Sequence, residues 1–282
     1  MTDLAIARCA VIGNPIAHSL SPYIHQAFAK QLGLNLRYER ILGAQQRFTT
    51  QVHEFFTQGG RGLNITVPFK EQAFALANQC SPRARLAKAV NTLWMEHHTL
   101  MGCNTDGEGL VYDLRRLQAD PQSQRILIIG AGGAARGVAL PLLQAGAHSL
   151  KIINRTPERA QQIIHDLSEH LPEYQSRLSA GDLQDTSGQW DIVINATSAS
   201  LGASGLAHAP IDYAPHALAY DMVYGAQPTA FMLQAQAQGA QRTADGLGML
   251  IEQAASSFAI WFGQRPPTDT LYSQLRTQIQ TA

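Results

Sequence analysis

The sequence predicts an α/β fold in two domains, each built on a mostly parallel sheet. Three observations carry this prediction. Short apolar runs rich in β-branched residues recur along the chain, bounded by Gly, Pro or Asn and alternating with helical patterns. One of these runs, Ile-Leu-Ile-Ile at 126–129, is followed by glycines at 130, 132 and 133 and an alanine- and leucine-rich helix pattern to about 145. A long apolar helix pattern over 247–262 has positions suited to packing back on the first half. A second domain, 107–243, is therefore expected as an insertion between the two parts of the first, 1–106 and 244–282.

The first domain reads as alternating strands and helices. Residues 9–13 form a strand ending on Gly13. Ser21-Pro22 starts a helix to about 32, with serine as N-cap and proline at the first helical position. A strand at 36–42, a helix at 45–56 stopped by Gly59-Gly60, and a strand at 61–67 ended by Pro68 follow. Helical segments at 71–78 and 82–87 precede strands at 90–95 and 99–103, which pair as a hairpin. A helix at 108–117 leads into the inserted domain. There the strands are 126–129, 151–154, 190–195 and 217–222, with helices at 157–169 and 229–238 between them. Helices at 247–262 and 269–279 close the chain.

Composition excludes several classes of function. Lys plus Arg number 21 and Asp plus Glu number 21, so no net charge draws the chain to nucleic acid or an anionic membrane. Cys9, Cys80 and Cys103 are scattered, odd in number and without a C-x-x-C pair. That argues against a disulfide framework or a zinc cage and fits reduced thiols in a cytoplasm. No apolar run reaches membrane-spanning length, and no basic start precedes an apolar leader.

Strand, glycine turn and helix together are the setting in which a G-x-G pattern binds a dinucleotide. Gly130 makes the tight turn, Gly132 lets a pyrophosphate approach the backbone, and the helix start offers unpaired N–H groups. A ligand-free turn is the plainer reading of those glycines alone. The next strand decides: it ends in Asn154-Arg155-Thr156, about twenty-four residues after Gly130, with Arg159 one helical turn on. An NAD site usually carries an acid here for the ribose 2′-OH. An arginine instead suits a 2′-phosphate, through charge-assisted bonds of about 1.5–3 kcal/mol each. A cation near a helix N-terminus also opposes the helix dipole, which weakens the reading as a merely solvated side chain. The cofactor read from these residues is NADP(H).

Asn64-Ile65-Thr66-Val67-Pro68-Phe69-Lys70 delivers a lysine at the carboxyl end of a strand, where open α/β sheets bind ligands. Such a lysine can serve as general acid, though a lone one is usually a surface residue. Asp106 before a helix reads first as an N-cap. Ser19 and Ser21 flank a helix start suited to a carboxylate, with a plain N-cap as the alternative for Ser21. His18 and His25 fit neither metal spacing nor a triad.

Taken together, eight motifs in order resemble the shikimate dehydrogenase family. They are Gly13-Asn14-Pro15 with His18 to Pro22, the Asn64 to Lys70 run, Ala89-Val90-Asn91-Thr92, Asn104-Thr105-Asp106-Gly107, Gly130-Ala131-Gly132-Gly133-Ala134, Asn154-Arg155-Thr156, Asn195-Ala196-Thr197-Ser198, and Asp245-Gly246-Leu247-Gly248-Met249-Leu250. The resemblance implies a Rossmann-type NADP-binding domain and an α/β substrate-binding domain. It implies reversible NADPH-dependent reduction of 3-dehydroshikimate to shikimate, in aromatic amino acid biosynthesis. By the same match, Lys70 and Asp106 are catalytic, and Ser19 and Ser21 bind the substrate carboxylate. Thr66, Asn91, Tyr224 and Gln253 also face substrate. Gly130, Ala131, Gly132, Gly133 and Ala134 form the cofactor loop. Asn154, Arg155, Thr156 and Arg159 clamp the 2′-phosphate, while Met222 and Gly246 lie near the nicotinamide.

The resemblance has departures. Cys103 stands where the family usually has a polar or acidic residue, Lys88 where glycine is common, and residues 199–205 match only loosely. They touch loop geometry and not the catalytic groups. Three other readings are weighed: a quinate/shikimate dehydrogenase with broader cofactor use, a non-catalytic NADP-binding module, and a folate-type dehydrogenase. Arg155-Thr156 argues against the first, Lys70 with Asp106 against the second, and the serine pair with the neutral charge against the third. No metal is expected. The expected partner is a small-molecule substrate, and a homodimer is left open.

Overall fold

A computed structural model of the chain describes residues 6–197 and 209–281. Ser198 and the loosely matching segment 199–205 lie outside the described residues. The chain divides into two compact units, residues 1–109 with 251–271, and residues 110–250 with 272–282.

The first unit opens with β1 (Ala7–Gly13), α1 (Ser21–Gln31), β2 (Leu36–Leu42), α2 (Phe48–Thr57), β3 (Gly60–Ile65) and α3 (Lys70–Leu76). It continues with β4 (Gln79–Cys80), α4 (Pro82–Ala87), β5 (Thr92–Glu96) and β6 (Thr99–Cys103), and includes the first residues of α5 (Asp106–Arg116). The sheet order is β2-β1-β3-β5-β6-β4. β1 pairs parallel with β2 and β3, whereas β5 runs antiparallel to both β3 and β6. Apolar residues alternate into one core, where Ile12, Leu63, Ile65 and Leu93 meet Val52 and Phe55 of α2. Phe48 stacks on Phe69 with ring centres 4.8 Å apart. That stack fixes the turn between β3 and α3, and so the residue that follows it, Lys70.

α1 begins at Ser21 itself, with Leu20 at the N-cap position and no side-chain cap. The expected serine cap is therefore corrected by one residue. The Ser19 hydroxyl instead accepts from the Ser21 backbone N–H at 3.3 Å, leaving the Ser21 side chain free of a capping duty.

The second unit holds β7 (Arg125–Ile129), α6 (Gly133–Gln144), β8 (Ser149–Ile153), α7 (Pro157–His170), β9 (Leu178–Gly181), β10 (Gln189–Asn195), β11 (Asp212–Asp221), α8 (Ala230–Ala237) and β12 (Arg242–Asp245). Its sheet order is β12-β11-β10-β7-β8-β9, and every pairing among the described residues is parallel. Numbered from β7, this is the 3-2-1-4-5-6 order of the Rossmann fold, with its switch point between β7 and β10. Residues of β7, β8 and β10 are buried on both faces, as their continuous apolar runs require.

α9 (Leu247–Phe262) starts in the second unit and continues in the first. In the first unit its Trp261 indole N–H donates to the Leu93 carbonyl at 3.2 Å. Gly62 leaves the room: a Cβ there would lie 2.2 Å from the Trp261 ring. Fully buried Phe258 adds about 1.5–3 kcal/mol of apolar burial. α10 (Asp269–Thr281) ends the chain. Residues 272–282 group with the second unit, where Arg116 lies 4.0 Å over the Tyr272 ring and Arg276 pairs with Asp245. The sequence places this segment with the first domain; its contacts group it with the second.

Candidate active site

In the first unit, Phe69 and the β3 end hold Lys70 at the start of α3. The Lys70 ammonium donates to Asp106 Oδ2 at 2.6 Å, with side chains 30% and 16% exposed. The other carboxylate oxygen, Oδ1, accepts from Asn91 Nδ2 at 2.7 Å. Asn91 is fixed in turn. Its Oδ1 accepts from the Thr105 backbone N–H at 2.9 Å and from the Thr92 hydroxyl at 2.8 Å. A backbone donor on one side settles which end of the amide faces Asp106. The Asp106 N–H bonds Asn104 Oδ1 at 3.0 Å, and α5 starts at Asp106, so its carboxylate serves Lys70 and Asn91 rather than a cap. Gln253 Oε1 lies 3.5 Å from both Asn91 Nδ2 and Thr105 Oγ1.

From this pair a set of hydrogen-bonded side chains extends toward the serines. Ser19 Oγ donates to Ser21 Oγ at 3.2 Å, and Ser21 lies beside the Tyr38 phenol. The Tyr38 hydroxyl donates to Asn64 Oδ1 at 2.8 Å. Asn64 Nδ2 donates to the Asn91 carbonyl at 3.1 Å and to Ser257 Oγ at 3.1 Å. Full burial pushes the Tyr38 phenol well above its ordinary range, so it stays a donor. Arg40 holds the Ser19 carbonyl from Nε at 3.0 Å and Nη2 at 2.6 Å. Thr66 is half-buried, with its methyl against Gly13, where a Cβ would come within 2.3 Å. Asn64 carries a signal in the sequence only as the first residue of its motif. Tyr38 carries none, because its partner lies 26 residues away.

The two departures have local explanations. Lys88 caps α4 in the left-handed conformation, φ 51°, where glycine carries the least strain. Cys103 Sγ accepts from Arg83 Nε at 3.1 Å and Ser81 Oγ at 3.3 Å. A polar or acidic side chain could take the same donors.

In the second unit, Gly130 has φ +106°, and a Cβ there would lie 2.7 Å from the Thr197 methyl. At Gly132 and Gly133 an added Cβ would meet nothing within 4 Å. Those glycines therefore face open space at the start of α6, where N–H groups and the helix dipole favour phosphate. Ala131 lies in the turn and Ala134 in the first turn of α6. After β8, Asn154 Nδ2 holds the Thr156 carbonyl at 2.9 Å. Arg155, Thr156 and Arg159 are exposed around the first turn of α7. The residues present thus fit a phosphorylated dinucleotide. Met222 and Gly246 come together: the Gly246 N–H bonds the Val223 carbonyl at 3.0 Å, and a Cβ on Gly246 would lie 2.2 Å from the Met222 oxygen. Tyr224 is half-buried on the same turn, and burial raises its phenol. Among the described residues, no group of three His, Cys, Asp or Glu could hold a metal ion, and no helix is long and apolar enough to cross a membrane.

A Rossmann unit with a basic 2′-phosphate corner, in one chain with a lysine–aspartate pair on a second α/β unit, defines a class: NADP-dependent dehydrogenases of two α/β units. Residues 11–93 match the family of shikimate dehydrogenase substrate binding domains. Residues 114–203 match shikimate/quinate 5-dehydrogenase, and residues 246–276 the shikimate 5′-dehydrogenase C-terminal domain. The chain is 52% identical over 276 residues to a shikimate dehydrogenase (NADP(+)) of Bordetella avium, covering 98% of this chain and 97% of that protein. Among solved structures, an Ael1 enzyme from Pseudomonas putida superposes with TM-score 0.89 at 43% identity, over 95% of this chain and 98% of that one. A shikimate 5-dehydrogenase from Thermus thermophilus, in complex with NADP(H) and shikimate, gives TM-score 0.80 at 31% identity, over 96% and 99%. The chain belongs to the shikimate dehydrogenase family.

Proposed function

We propose that this chain catalyses the reversible NADPH-dependent reduction of 3-dehydroshikimate to shikimate, a step of aromatic amino acid biosynthesis. The observation that carries the reading is the Lys70–Asp106–Asn91 arrangement, an ammonium on a carboxylate whose second oxygen is held by an oriented amide. NADPH, when bound, supplies the hydride to the ring carbonyl carbon. Gly130 to Ala134 would hold its pyrophosphate, and Asn154, Arg155, Thr156 and Arg159 its 2′-phosphate. Met222 and Gly246 would face the nicotinamide.

The chain's own residues then handle charge and protons. Lys70 stabilises the negative charge that develops on the ketone oxygen and donates a proton to it. Asp106 holds the lysine in place and accepts from a neighbouring hydroxyl of the substrate. In the oxidation direction the same pair takes the proton back, so Lys70 and Asp106 act as one coupled unit. Ser19, turning its hydroxyl hydrogen away from Ser21, and Ser21 donate to the substrate carboxylate. Thr66, Asn91, Tyr224 and Gln253 are the remaining substrate contacts.

A cytoplasmic site suits the three free cysteines. Assembly as a homodimer is a separate expectation, read by light-scattering mass in solution. The activity test is an NADP⁺-coupled assay with shikimate and quinate side by side. Shikimate with NADP⁺ should turn over far faster than quinate with NAD⁺. Equal turnover of both pairs, or none with shikimate, would overturn the assignment.

A further inference from the structure

Arg276 lies outside the eight short motifs, at the last position of the 246–276 segment that matches the C-terminal family domain, and its guanidinium grips the loops proposed above to face the nicotinamide. In the second unit it is bidentate on Asp245, with Nη2 to Oδ1 at 2.5 Å and Nη1 to Oδ2 at 2.8 Å. Nη1 also donates to the Gly225 carbonyl at 3.0 Å. Asp245 ends β12 with its side chain only 6% exposed, and Gly225 lies on the turn after β11. One side chain therefore ties together the two turns that carry Met222 and Gly246.

The tie has an electrostatic reason to matter. Asp245 sits directly across from Asp221 in the β11–β12 register, and Asp221 is fully buried. Asp221 is engaged by Asn195 Nδ2 at 3.0 Å and by the Val223 N–H at 3.1 Å. Arg276 supplies the cation for Asp245. Without it, two neighbouring carboxylates at the strand ends would push the turns apart. Gly246 packs so close to the Met222 carbonyl that a separation of the turns would open that contact.

We infer that Arg276 is a positioning residue for the nicotinamide half of the cofactor, acting through Asp245 and the Gly225 carbonyl on Met222 and Gly246. The inference rests on the placement of those two residues in the proposed function. It predicts a split between the two halves of the cofactor. In Arg276→Ala, NADPH affinity should fall about tenfold, the order expected of a coupling carried from one element to a binding site. Affinity for 2′-phospho-AMP, which lacks the nicotinamide half, should stay within twofold of the parent. Arg276→Lys, which keeps the cation but not the fork, should fall between, and added guanidinium ion should restore part of the loss in Arg276→Ala.

Both affinities are read by calorimetric titration on the full chain, without shikimate. A parent chain that binds NADPH but does not oxidise shikimate would sink the proposed reaction and leave this test standing. The inference is overturned if NADPH affinity is unchanged, or if both ligands weaken in parallel. Should Arg276→Ala not fold, the same ratio in Arg276→Lys decides: a selective NADPH loss supports the inference and an equal or absent one overturns it.

Discussion

Replacing Asp106 by Asn is the sharpest test of the catalytic pair, because the structure dictates where the damage falls. Lys70 can only donate. Asn91 Nδ2 is also locked as a donor, since the opposite end of that amide receives the Thr105 backbone N–H at 2.9 Å. An amide at 106 must therefore turn its NH₂ toward one of two donors, and one bond is lost whichever way it faces. A charge-assisted bond contributes about 1.5–3 kcal/mol. Partial exposure, 30% for Lys70 and 16% for Asp106, favours the lower part of that range. Expressed as a barrier, this is about a 10- to 100-fold fall in kcat. The assay is initial-rate oxidation of shikimate followed at the NADPH absorbance, with thermal melting as a fold control. Lys70→Ala alone should cost about 10²–10⁴ in kcat with a small change in KM. Because the two groups act as a unit, the double variant should be little worse than Lys70→Ala. Losses that multiply independently, or an unchanged kcat in either single variant, would refute the reasoning.

Three further outcomes are expected. Arg155→Ala should raise KM for NADPH about tenfold or more, the loss of a charge-assisted phosphate contact, with KM for NADH unmoved; equal effects on both would remove the clamp. Gly130→Ala places a side chain at φ +106° and 2.7 Å from the Thr197 methyl, so denaturant unfolding should show a loss of about 1–3 kcal/mol together with weaker NADP⁺ binding. His25 is buried between Tyr38 and Trp261, at ring distances of 4.4 and 5.3 Å, with neither ring nitrogen hydrogen-bonded. Burial pushes it down to about 3. Below the ordinary value of 6.5 the unfolded chain takes the proton first, so stability is complete above pH 6.5 and falls as pH drops toward 3. By pH 4.5 the loss from this one group is about 3 kcal/mol, and His25→Phe should flatten that part of the pH–stability curve. A variant with the same acid slope as the parent would assign it to other groups.

What the sequence made legible follows from locality. The strands β7, β8 and β10 are continuous apolar runs because both faces are buried, and the turn after β7 carries its glycines where backbone geometry needs them. β4, β9 and β12 went unread. They have two to four residues each, all three lie at sheet edges, and their exposed faces break the apolar pattern. Lys70 and Asp106 stood out within their motifs, but the contact between them spans 36 residues and only the fold supplies it. The relay through Tyr38 and the grip of Arg276 on Asp245 are of the same kind. Neither residue looks unusual in its own segment, and each acquires its role from a partner brought up by a different strand or helix.

Each oxygen of Asp106 already receives one hydrogen from the protein, at 2.6 and 2.7 Å. An ionised carboxylate has about four lone-pair positions in all, so what remains there is acceptor capacity alone. A ligand that bonds Asp106 must bring a hydrogen with it. Fluoro or methoxy replacements at the hydroxyl facing Asp106 would point lone pairs at lone pairs, and inhibitors directed at that position should keep a free O–H or N–H.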